Sequence, residues 1–362
     1  MAKNKMRKTV KLPPLLLDTR AMKAVSLFSG CGGSDAGVIA AGFDVVMTND
    51  ILAYARDVYL ANHAETDYRI GSVAKIETFP DAELLIGCYP CQGFSQGGVR
   101  NPAAGINQLY QEFARALRQI RPKAFIVENV SGMVRKNFEH LLKDQLKVFT
   151  EAGYRVKMRV LNAVDYGVAQ ERKRIFIVGV RDDFDLEYNF PLPTHGEGRE
   201  QPHKTIRQAI GDMPVWPEGE FYAREFHWYY MSRNRKAKWA EPAYTVVANF
   251  RHITLHPASP VMTLTWSDLA NGWKQRWDFS DQYEHLEADP KRPKLEKARR
   301  LSWRECARIQ TFSNDFEPVG DTASKFTQIG NAVPPKLAEA IFTHLFSGAG
   351  LISADTYLQK AK

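Results

Sequence analysis

The sequence predicts an α/β protein with a doubly wound, mostly parallel sheet and an inserted, smaller irregular domain. Strand-like and helix-like segments alternate from Lys23 to about Val180, which is typical of a sheet built from βα units. From 183 to 298 this alternation stops, and the chain is rich in Pro and Trp. Helical patterning returns near the end, so we expect the last segments to pack against the first domain.

Apolar periodicity and turn residues give the individual elements. We expect strands at 24–29, 43–48, 84–87, 124–127, 154–162 and 174–180. Helices are expected at 34–41, 51–62, 108–120, 138–152, 302–311 and 335–345. The predicted division is a basic tail at 1–22, a main domain at 23–182 and 299–348, and a second domain at 183–298.

Composition indicates an ordinary soluble globular protein. Of the 362 residues, 44% are hydrophobic and 25% charged, which predicts two domains with cores of their own. No apolar run approaches a membrane span or a signal-peptide core, so we expect a cytoplasmic protein. Its four cysteines are then expected as free thiols. Of the formal charge of +8, a net +6 lies within the first 23 residues, so we expect the body to bind a polyanion only through local patches.

A glycine-rich segment, SLFSGCGGSDAG, follows the first predicted strand. The dinucleotide pattern G-x-G-x-x-G fails because Asp35 takes the place of the third glycine after Gly30, which disfavours a pyrophosphate. Asp50 follows Gly30 by 20 residues, at the end of the second strand, where a carboxylate accepts hydrogen bonds from ribose hydroxyls. The pattern fits a nucleoside without phosphates, of which S-adenosylmethionine is the common case. Glycines that only form a tight turn remain the alternative.

Two cysteines at C-x-x-C spacing, Cys88 and Cys91, follow the strand at 84–87. Zinc needs four ligands, and no second pair completes such a site, so no metal is expected. A redox dithiol is expected near the start of a short βαβ chain, not after three βα units. The remaining interpretations are a Cys91 thiolate nucleophile in the Pro90-Cys91-Gln92 turn, with Cys88 buried behind it, or two inert core thiols.

Chemically useful residues follow four separate strands. Gly30, Asp50, Cys91 and Glu128 are each expected at a carboxyl end, and in a doubly wound sheet these ends face one crevice. Next to a methyl donor, a thiolate that adds to C6 of cytosine turns C5 into a nucleophile. A carboxyl group at N3 stabilises the charge that develops there. The alternative for Glu128 is a carboxylate bonded to a loop.

From 23 to about 346 the chain resembles the DNA (cytosine-5) methyltransferases. Six segments in family order carry the resemblance: Phe28-x-Gly30-x-Gly32-Gly33, Pro90-Cys91-Gln92, Glu128-Asn129-Val130, Gln170-Glu-Arg172-Lys-Arg174, Arg304-Glu305-Cys306-Ala307-Arg308 and Gln328-Ile-Gly330-Asn331-Ala-Val-Pro-Pro335. The resemblance implies a Rossmann-like, S-adenosylmethionine-dependent methyltransferase fold. In that fold the segment 183–298 is the target-recognition domain and the rest is the catalytic and cofactor-binding domain.

The resemblance also implies roles for single residues. Those implied to contact the cofactor are Phe28, Gly30, Gly32, Gly33, Asp50, Ile51, Ser72, Pro90, Leu109, Asn331 and Ala332. Those implied in catalysis are Cys91 as nucleophile, Gln92 beside it, Glu128 at the base, and Arg172 and Arg174, which would position the cytosine O2 and the nucleophile loop.

Two residues depart from the family pattern. Ser72 stands where the family usually has an aspartate that bonds the adenine amine, so one cofactor contact differs. Cys88 stands where a glycine is usual. We hypothesise that Cys88 and Cys91 form a reversible disulfide that blocks activity under oxidation. Unchanged peroxide sensitivity of the Cys88→Gly variant contradicts this hypothesis.

A basic stretch in the predicted recognition domain suits DNA. Arg233, Arg235 and Arg251 have the guanidinium fork that fits guanine O6 and N7, whereas nearby lysines, such as Lys236 and Lys238, suit phosphates. A solvated charged face is the alternative. The segment 231–262 resembles the recognition segment of bacterial enzymes that methylate GGCC, which implies GGCC as the target.

A cytosine within a duplex is out of reach, so the target base is expected to flip out into the crevice. We predict that the segment 93–105 is a mobile lid over that base.

The expected partners are duplex DNA and, indirectly, a restriction endonuclease for the same site, and a monomer suffices. RNA methylation and a catalytically silent DNA-binding relative are the alternatives. The long insertion argues against the first, and Cys91, Glu128 and Arg174 together argue against the second.

Overall fold

A computed structural model describes residues 22–90, 108–270, 274–284 and 294–353. Its centre is a seven-stranded sheet in the order β3-β2-β1-β4-β5-β7-β6. The strands are β1 Met22–Leu27, β2 Phe43–Asp50, β3 Asp67–Ile70, β4 Leu84–Gly87, β5 Ala124–Val130, β6 Tyr154–Asn162 and β7 Lys173–Arg181. β1 to β5 are parallel, and β7 runs antiparallel to both β5 and β6. The predicted mostly parallel sheet is thus confirmed.

Helices cover both faces of this sheet. They are α1 Gly33–Ala40, α2 Ala53–Asn62, α3 Leu109–Ile120, α4 Glu139–Glu151, α5 Ile206–Ile210, α6 Trp303–Ile309, α7 Thr322–Asn331 and α8 Pro335–Phe346. Alternate strand residues point to opposite faces: Leu84 and Ile86 pack with α1 and α8, whereas Leu85 packs with α3 and α4. Apolar runs in the central strands are continuous because both faces are buried.

The strands extend beyond their predicted ends, which changes where two site residues lie. β5 continues to Val130, so Glu128 lies within the strand and not after it. Asp50 is likewise the last residue of β2. Both remain at the carboxyl edge of the sheet, so the crevice is where the sequence predicted it.

The segment after β7 has little regular structure. It contains β8 Leu186–Tyr188, the short helix α5, and the hairpin of β9 Met262–Asp268 and β10 Lys274–Phe279; β11 Leu351–Ser353 pairs with β8. Leu186 and Tyr188 pack in the core of the main domain. The remainder shares a core with α6 and α7, so the late helices join the two parts. The exact domain boundaries stay a prediction.

None of the helices in the part of the chain that the structure describes is long and apolar enough to cross a membrane.

Candidate active site

The carboxyl edge of the sheet brings together the predicted cofactor loop and the Asp50 carboxylate. Oδ2 of Asp50 accepts a hydrogen bond from the Gly30 N–H at 3.0 Å, and its Oδ1 accepts one from the Leu52 N–H at 3.0 Å. Phe28 has φ of 60° and Gly30 has φ of 55°, so the loop turns sharply after β1. Burial raises the pKa of Asp50, and the backbone donors oppose that shift.

These residues fit a bound nucleoside. Each Asp50 oxygen accepts one backbone donor and keeps a second lone pair for a ribose hydroxyl. A Cβ at Gly30 would meet no atom within 4 Å, so open space lies beside the loop. Ile51, 67% exposed, offers an apolar side chain next to Asp50. The Ser72 hydroxyl accepts a hydrogen bond from the Ala74 N–H at 3.4 Å and keeps its own proton for donation.

The other predicted cofactor residues occupy the surrounding surface or the packing behind it. Gly33 packs so closely on the segment after α7 that an added Cβ would lie 2.5 Å from the Val333 oxygen. Asn331 ends α7 and is exposed, and Ala332 follows it half-buried. Leu109 begins α3 and packs against the core of that face. Which of these side chains contact the cofactor stays a prediction.

Asp35, the residue that broke the dinucleotide pattern, is fully buried behind the cofactor loop. Its carboxylate accepts hydrogen bonds from Ser26 Oγ at 2.7 Å and Tyr59 OH at 2.8 Å, which tie α1 to β1 and α2. Burial raises the pKa of Asp35 from 3.8 to about 6, against those two hydrogen bonds.

The Asp35 carboxyl therefore makes stability depend on pH. Because its pKa is higher in the folded state, its contribution is full below pH 3.8 and is lost as pH rises through about 6. Relative to Asp35→Asn, the wild type is expected to lose about 2 kcal/mol of unfolding free energy between pH 4 and pH 7. Urea unfolding of both proteins at several pH values measures this difference, and a constant difference contradicts it.

The Glu128 carboxylate and the Arg174 guanidinium form an ion pair at the carboxyl edge. Nε of Arg174 lies 2.9 Å from Glu128 Oε1, and their side chains are 14% and 11% exposed. Burial raises the pKa of Glu128 above its ordinary value, and the charges of Arg174 and Arg172 only partly oppose this. Asn129, the next residue, donates to the Tyr89 carbonyl at 3.2 Å and so fixes the backbone just before Pro90. Burial therefore favours the protonated form of Glu128 relative to a carboxyl group in water.

Arg172, predicted with Arg174 to position the cytosine O2 and the nucleophile loop, is buried away from the open surface. It is 1% exposed, and its guanidinium donates to the backbone carbonyls of Val246 at 3.1 Å, Gly330 at 2.8 Å and Ala332 at 3.0 Å. Three of its five N–H donors thus support the backbone of other segments, and its role towards the base and the nucleophile loop stays a prediction. Arg174 keeps its predicted place in the site.

The predicted nucleophile Cys91, its neighbour Gln92 and the predicted lid at 93–105 lie outside the described residues. Their roles stay predictions. Cys88 packs against the core, and burial raises the pKa of its thiol well above the ordinary value, with the Glu128 carboxylate adding to the shift. A thiol held protonated in this way is a poor nucleophile, which disfavours its attack on a Cys91 sulfenic acid formed by peroxide, the step that would form the disulfide and release water. Within the described ranges, no group of His, Cys, Asp and Glu side chains is arranged to hold a metal ion.

The predicted DNA-reading arginines divide into two kinds. Arg233 and Arg251 are exposed. Arg235 is half-buried: it donates to the carbonyls of Tyr230 at 2.9 Å and His252 at 3.3 Å, and its guanidinium lies over the Tyr230 ring. Lys236 is 6% exposed and bonds the Pro257 carbonyl, so the expectation that it touches phosphate is wrong.

Sequence reasoning missed a set of buried charged and aromatic contacts that support the recognition part. Arg299 forms two hydrogen bonds with Glu305, at 2.9 and 2.7 Å, and both side chains are fully buried. The Arg300 guanidinium lies 4.3 to 5.0 Å from the ring centroids of Tyr222, Phe226 and Tyr230. Of these three rings, Tyr230 is buried, and Tyr222 and Phe226 are half-buried. Trp228 differs from these three residues because its side chain is 75% exposed.

The whole chain is similar to known methyltransferases. Residues 22–347 match the family model for C-5 cytosine-specific DNA methylases. The Type II methyltransferase M.BsuRI of Bacillus subtilis is 35% identical over 89% of this chain and 79% of that protein. The Type II methyltransferase M.FnuDI of Fusobacterium nucleatum is 35% identical over 88% of this chain and 93% of that protein.

Solved structures share the fold. The Dnmt2 methyltransferase of Schizosaccharomyces pombe superposes with a TM-score of 0.62 at 15% identity, over 91% of this chain and 99% of that one. A DNA modification methyltransferase from an Escherichia coli prophage superposes with a TM-score of 0.63 at 22% identity, over 90% of this chain and 99% of that one. The chain is therefore a member of the C-5 cytosine-specific DNA methylase family, and it transfers a methyl group from S-adenosylmethionine to C5 of cytosine in DNA.

Proposed function

We propose that this enzyme methylates a cytosine that has left the duplex, through a covalent bond between Cys91 and C6 of the base, with GGCC as the target. The Glu128–Arg174 pair carries the proposal, because it supplies a carboxyl group of raised pKa on β5, the neighbour of β4, which leads to Cys91. The names of the relatives further support a role in a restriction-modification system, with an endonuclease that cuts the same site.

In this mechanism the thiolate of Cys91 adds to C6 of cytosine, and the electron pair of the C5–C6 bond becomes available at C5. Glu128 shares its proton with N3, which lowers the charge that develops on the ring. Arg174 holds the Glu128 carboxyl in place through the 2.9 Å ion pair. Once C5 has used this electron pair to bond the methyl group, loss of the C5 proton to a base and departure of the thiolate from C6 restore the aromatic ring.

S-adenosylmethionine supplies an electrophilic methyl group. The residues that would hold it are Asp50 at the ribose, the backbone of the loop Phe28–Gly32, and Ile51 and Ser72 around the adenine. Cofactor binding and the reaction at the base are assigned to different strands. β1 and β2 carry the cofactor residues, whereas β4 and β5 lead to Cys91 and Glu128. Both sets meet at one edge.

The covalent step has a direct test. A duplex with 5-fluorocytosine at the target position lacks the C5 proton whose loss releases the enzyme, so the adduct accumulates. We expect a complex that resists denaturation with the wild type and none with Cys91→Ser. Methyl transfer from labelled S-adenosylmethionine to GGCC duplexes, to scrambled duplexes and to a transfer RNA assigns the target in the same preparation. Labelled transfer RNA without labelled DNA refutes the proposal.

The exposed arginines are proposed to read the guanines. Replacing Arg233 or Arg251 by Ala is expected to lower discrimination between GGCC and singly substituted duplexes by about 1–3 kcal/mol for each guanine that is no longer read. Arg118→Ala, an exposed arginine in the last turn of α3, is the control and should leave discrimination unchanged. Rates of methylation on competing duplexes measure the effect. Equal discrimination in all variants contradicts a reading role.

The Arg235→Ala variant distinguishes a structural role of Arg235 from a role in recognising the target sequence. Its guanidinium supports two backbone carbonyls and the Tyr230 ring, so its replacement is expected to lower stability before it changes target choice.

A further inference from the structure

A buried polar junction joins the recognition part to the catalytic strands. It consists of the side chains of Gln170, Arg172 and Gln310. Two of these side chains form hydrogen bonds with the N–H and the carbonyl of Val246. Oε1 of Gln170 accepts from the Val246 N–H at 2.8 Å, and Arg172 Nη1 donates to the Val246 carbonyl at 3.1 Å. Gln170 and Arg172 lie just before β7, four and two residues from Arg174.

The same side chains reach the segment that ends α7. Nε2 of Gln170 donates to Gln310 Oε1 at 3.2 Å, and Gln310 in turn donates to the Ile329 carbonyl. Arg172 adds bonds to Gly330 and Ala332. Both glutamines are fully buried, so each bond is formed away from water, and removing one partner leaves an unsatisfied polar group.

Backbone contacts close the junction from both sides. The Glu171 N–H donates to the Ala243 carbonyl at 2.9 Å, and the Ala243 N–H donates to the Ala169 carbonyl at 2.8 Å. A Cβ at Gly330 would overlap the backbone of Ala248. The segment 243–248 is therefore held between the start of β7 and the end of α7, with Arg251 three residues further on.

We propose that Gln170 and Gln310 are positioning residues for methyl transfer: they fix the recognition segment 243–248 relative to Arg174 and Glu128. Their effect acts through Val246 and α7, since neither side chain faces the open crevice. DNA that is bound by the recognition part is thereby held at a fixed distance from the Glu128 carboxyl. A small misplacement of reacting groups costs a large factor in rate, so the junction governs the chemical step more than DNA binding.

The test compares Gln170→Met and Gln310→Met, which remove the amide hydrogen bonds and keep similar volume. Gln328→Met is the matched control, because Gln328 is a buried glutamine of α7 whose side chain donates to the Val319 carbonyl at 3.1 Å, outside the junction. Single-turnover methylation is measured at saturating cofactor and saturating plasmid DNA, together with the Kd for DNA and the Tm of each protein.

We expect single-turnover rates at least 10-fold lower in both junction variants, with the Kd for DNA changed less than threefold. The control should lose a similar amount of Tm without this loss of rate. The double variant should be no slower than the slower single variant, because the two side chains act as one unit. Equal rate losses in control and junction variants, or losses explained by weaker DNA binding, overturn the proposal.

The inference rests on methyl transfer to DNA and not on the proposed GGCC target, since plasmid DNA offers many sequences. Hydrogen exchange at the Val246 amide gives a readout without catalysis. It should accelerate in Gln170→Met and stay unchanged in Gln328→Met. A wild type that methylates plasmid DNA outside GGCC rejects the target alone, whereas unchanged exchange at Val246 rejects the junction alone.

Discussion

The Glu128→Gln variant is expected to transfer methyl groups about 10²- to 10³-fold more slowly than the wild type in a single turnover. Glutamine has nearly the same shape, and its amide can still donate a hydrogen bond towards N3. It cannot release a proton or carry the charge that pairs with Arg174 2.9 Å away. The loss therefore measures proton sharing and charge, and Kd for the cofactor should be unchanged.

The pH profile of the same pair of proteins tests the assignment further. Burial raises the pKa of Glu128, so the protonated form is present at low pH and is lost as pH rises through that pKa. The wild-type rate should accordingly fall on the alkaline side, and Glu128→Gln should lack this fall. Glu187→Gln, which replaces a carboxylate paired with Lys157 at 2.9 Å in β8, should keep the wild-type profile. A descending limb that survives in Glu128→Gln assigns the titration to another group.

The largest loss of stability is expected on breaking the buried Arg299–Glu305 pair. Replacing Arg299 by Met should lower the unfolding free energy by about 3–5 kcal/mol, because the Glu305 carboxylate is left charged and fully buried. The pair lies where the recognition part meets α6. Glu305 also accepts from the Ser302 N–H at 2.7 Å in the capping box of that helix.

Two further variants separate charge from packing. Arg299→Met combined with Glu305→Gln should recover part of the loss, because glutamine has no charge and still completes the capping box. Arg304→Met removes an arginine that is 36% exposed and paired with Glu220 and Glu317, so it should cost less than about 1 kcal/mol. Urea unfolding measures all three. A loss below about 1 kcal/mol for Arg299→Met contradicts the account.

The sequence predicted the sheet and its edge better than the contacts that join the two parts. Continuous apolar runs identify β1, β4 and β5, since strands buried on both faces need no polar alternation. β3, with the sequence DYRI, was missed because it is a short, partly exposed strand at one side of the sheet. The helix α7 was missed because its glycine and polar residues hide the helical period, although Asp321 caps it.

In the candidate site, too, some residues were predicted from the sequence and some contacts were not. Asp50 and Glu128 are found from sequence because acidic residues at strand ends are visible in a one-dimensional pattern. Arg172 and Arg235 were predicted at the DNA, and their bonds to backbone carbonyls are not visible in a one-dimensional pattern. The contacts of Gln170 with residues 246 and 310 span 76 and 140 positions, and no local pattern encodes such pairs.

The packing of α8 on α1 has a consequence for how the chain is made. Gly37 of α1 lies so close to α8 that an added Cβ would be 2.5 Å from the Pro335 oxygen, and Ile341 and Leu345 of α8 cover the same face as Val38. On a ribosome that adds about 5–20 residues per second, α8 is synthesised tens of seconds after α1. Throughout that interval one apolar face of the nascent sheet lacks its cover. This face of the nascent chain is thus open to chaperones and proteases until α8 has been made.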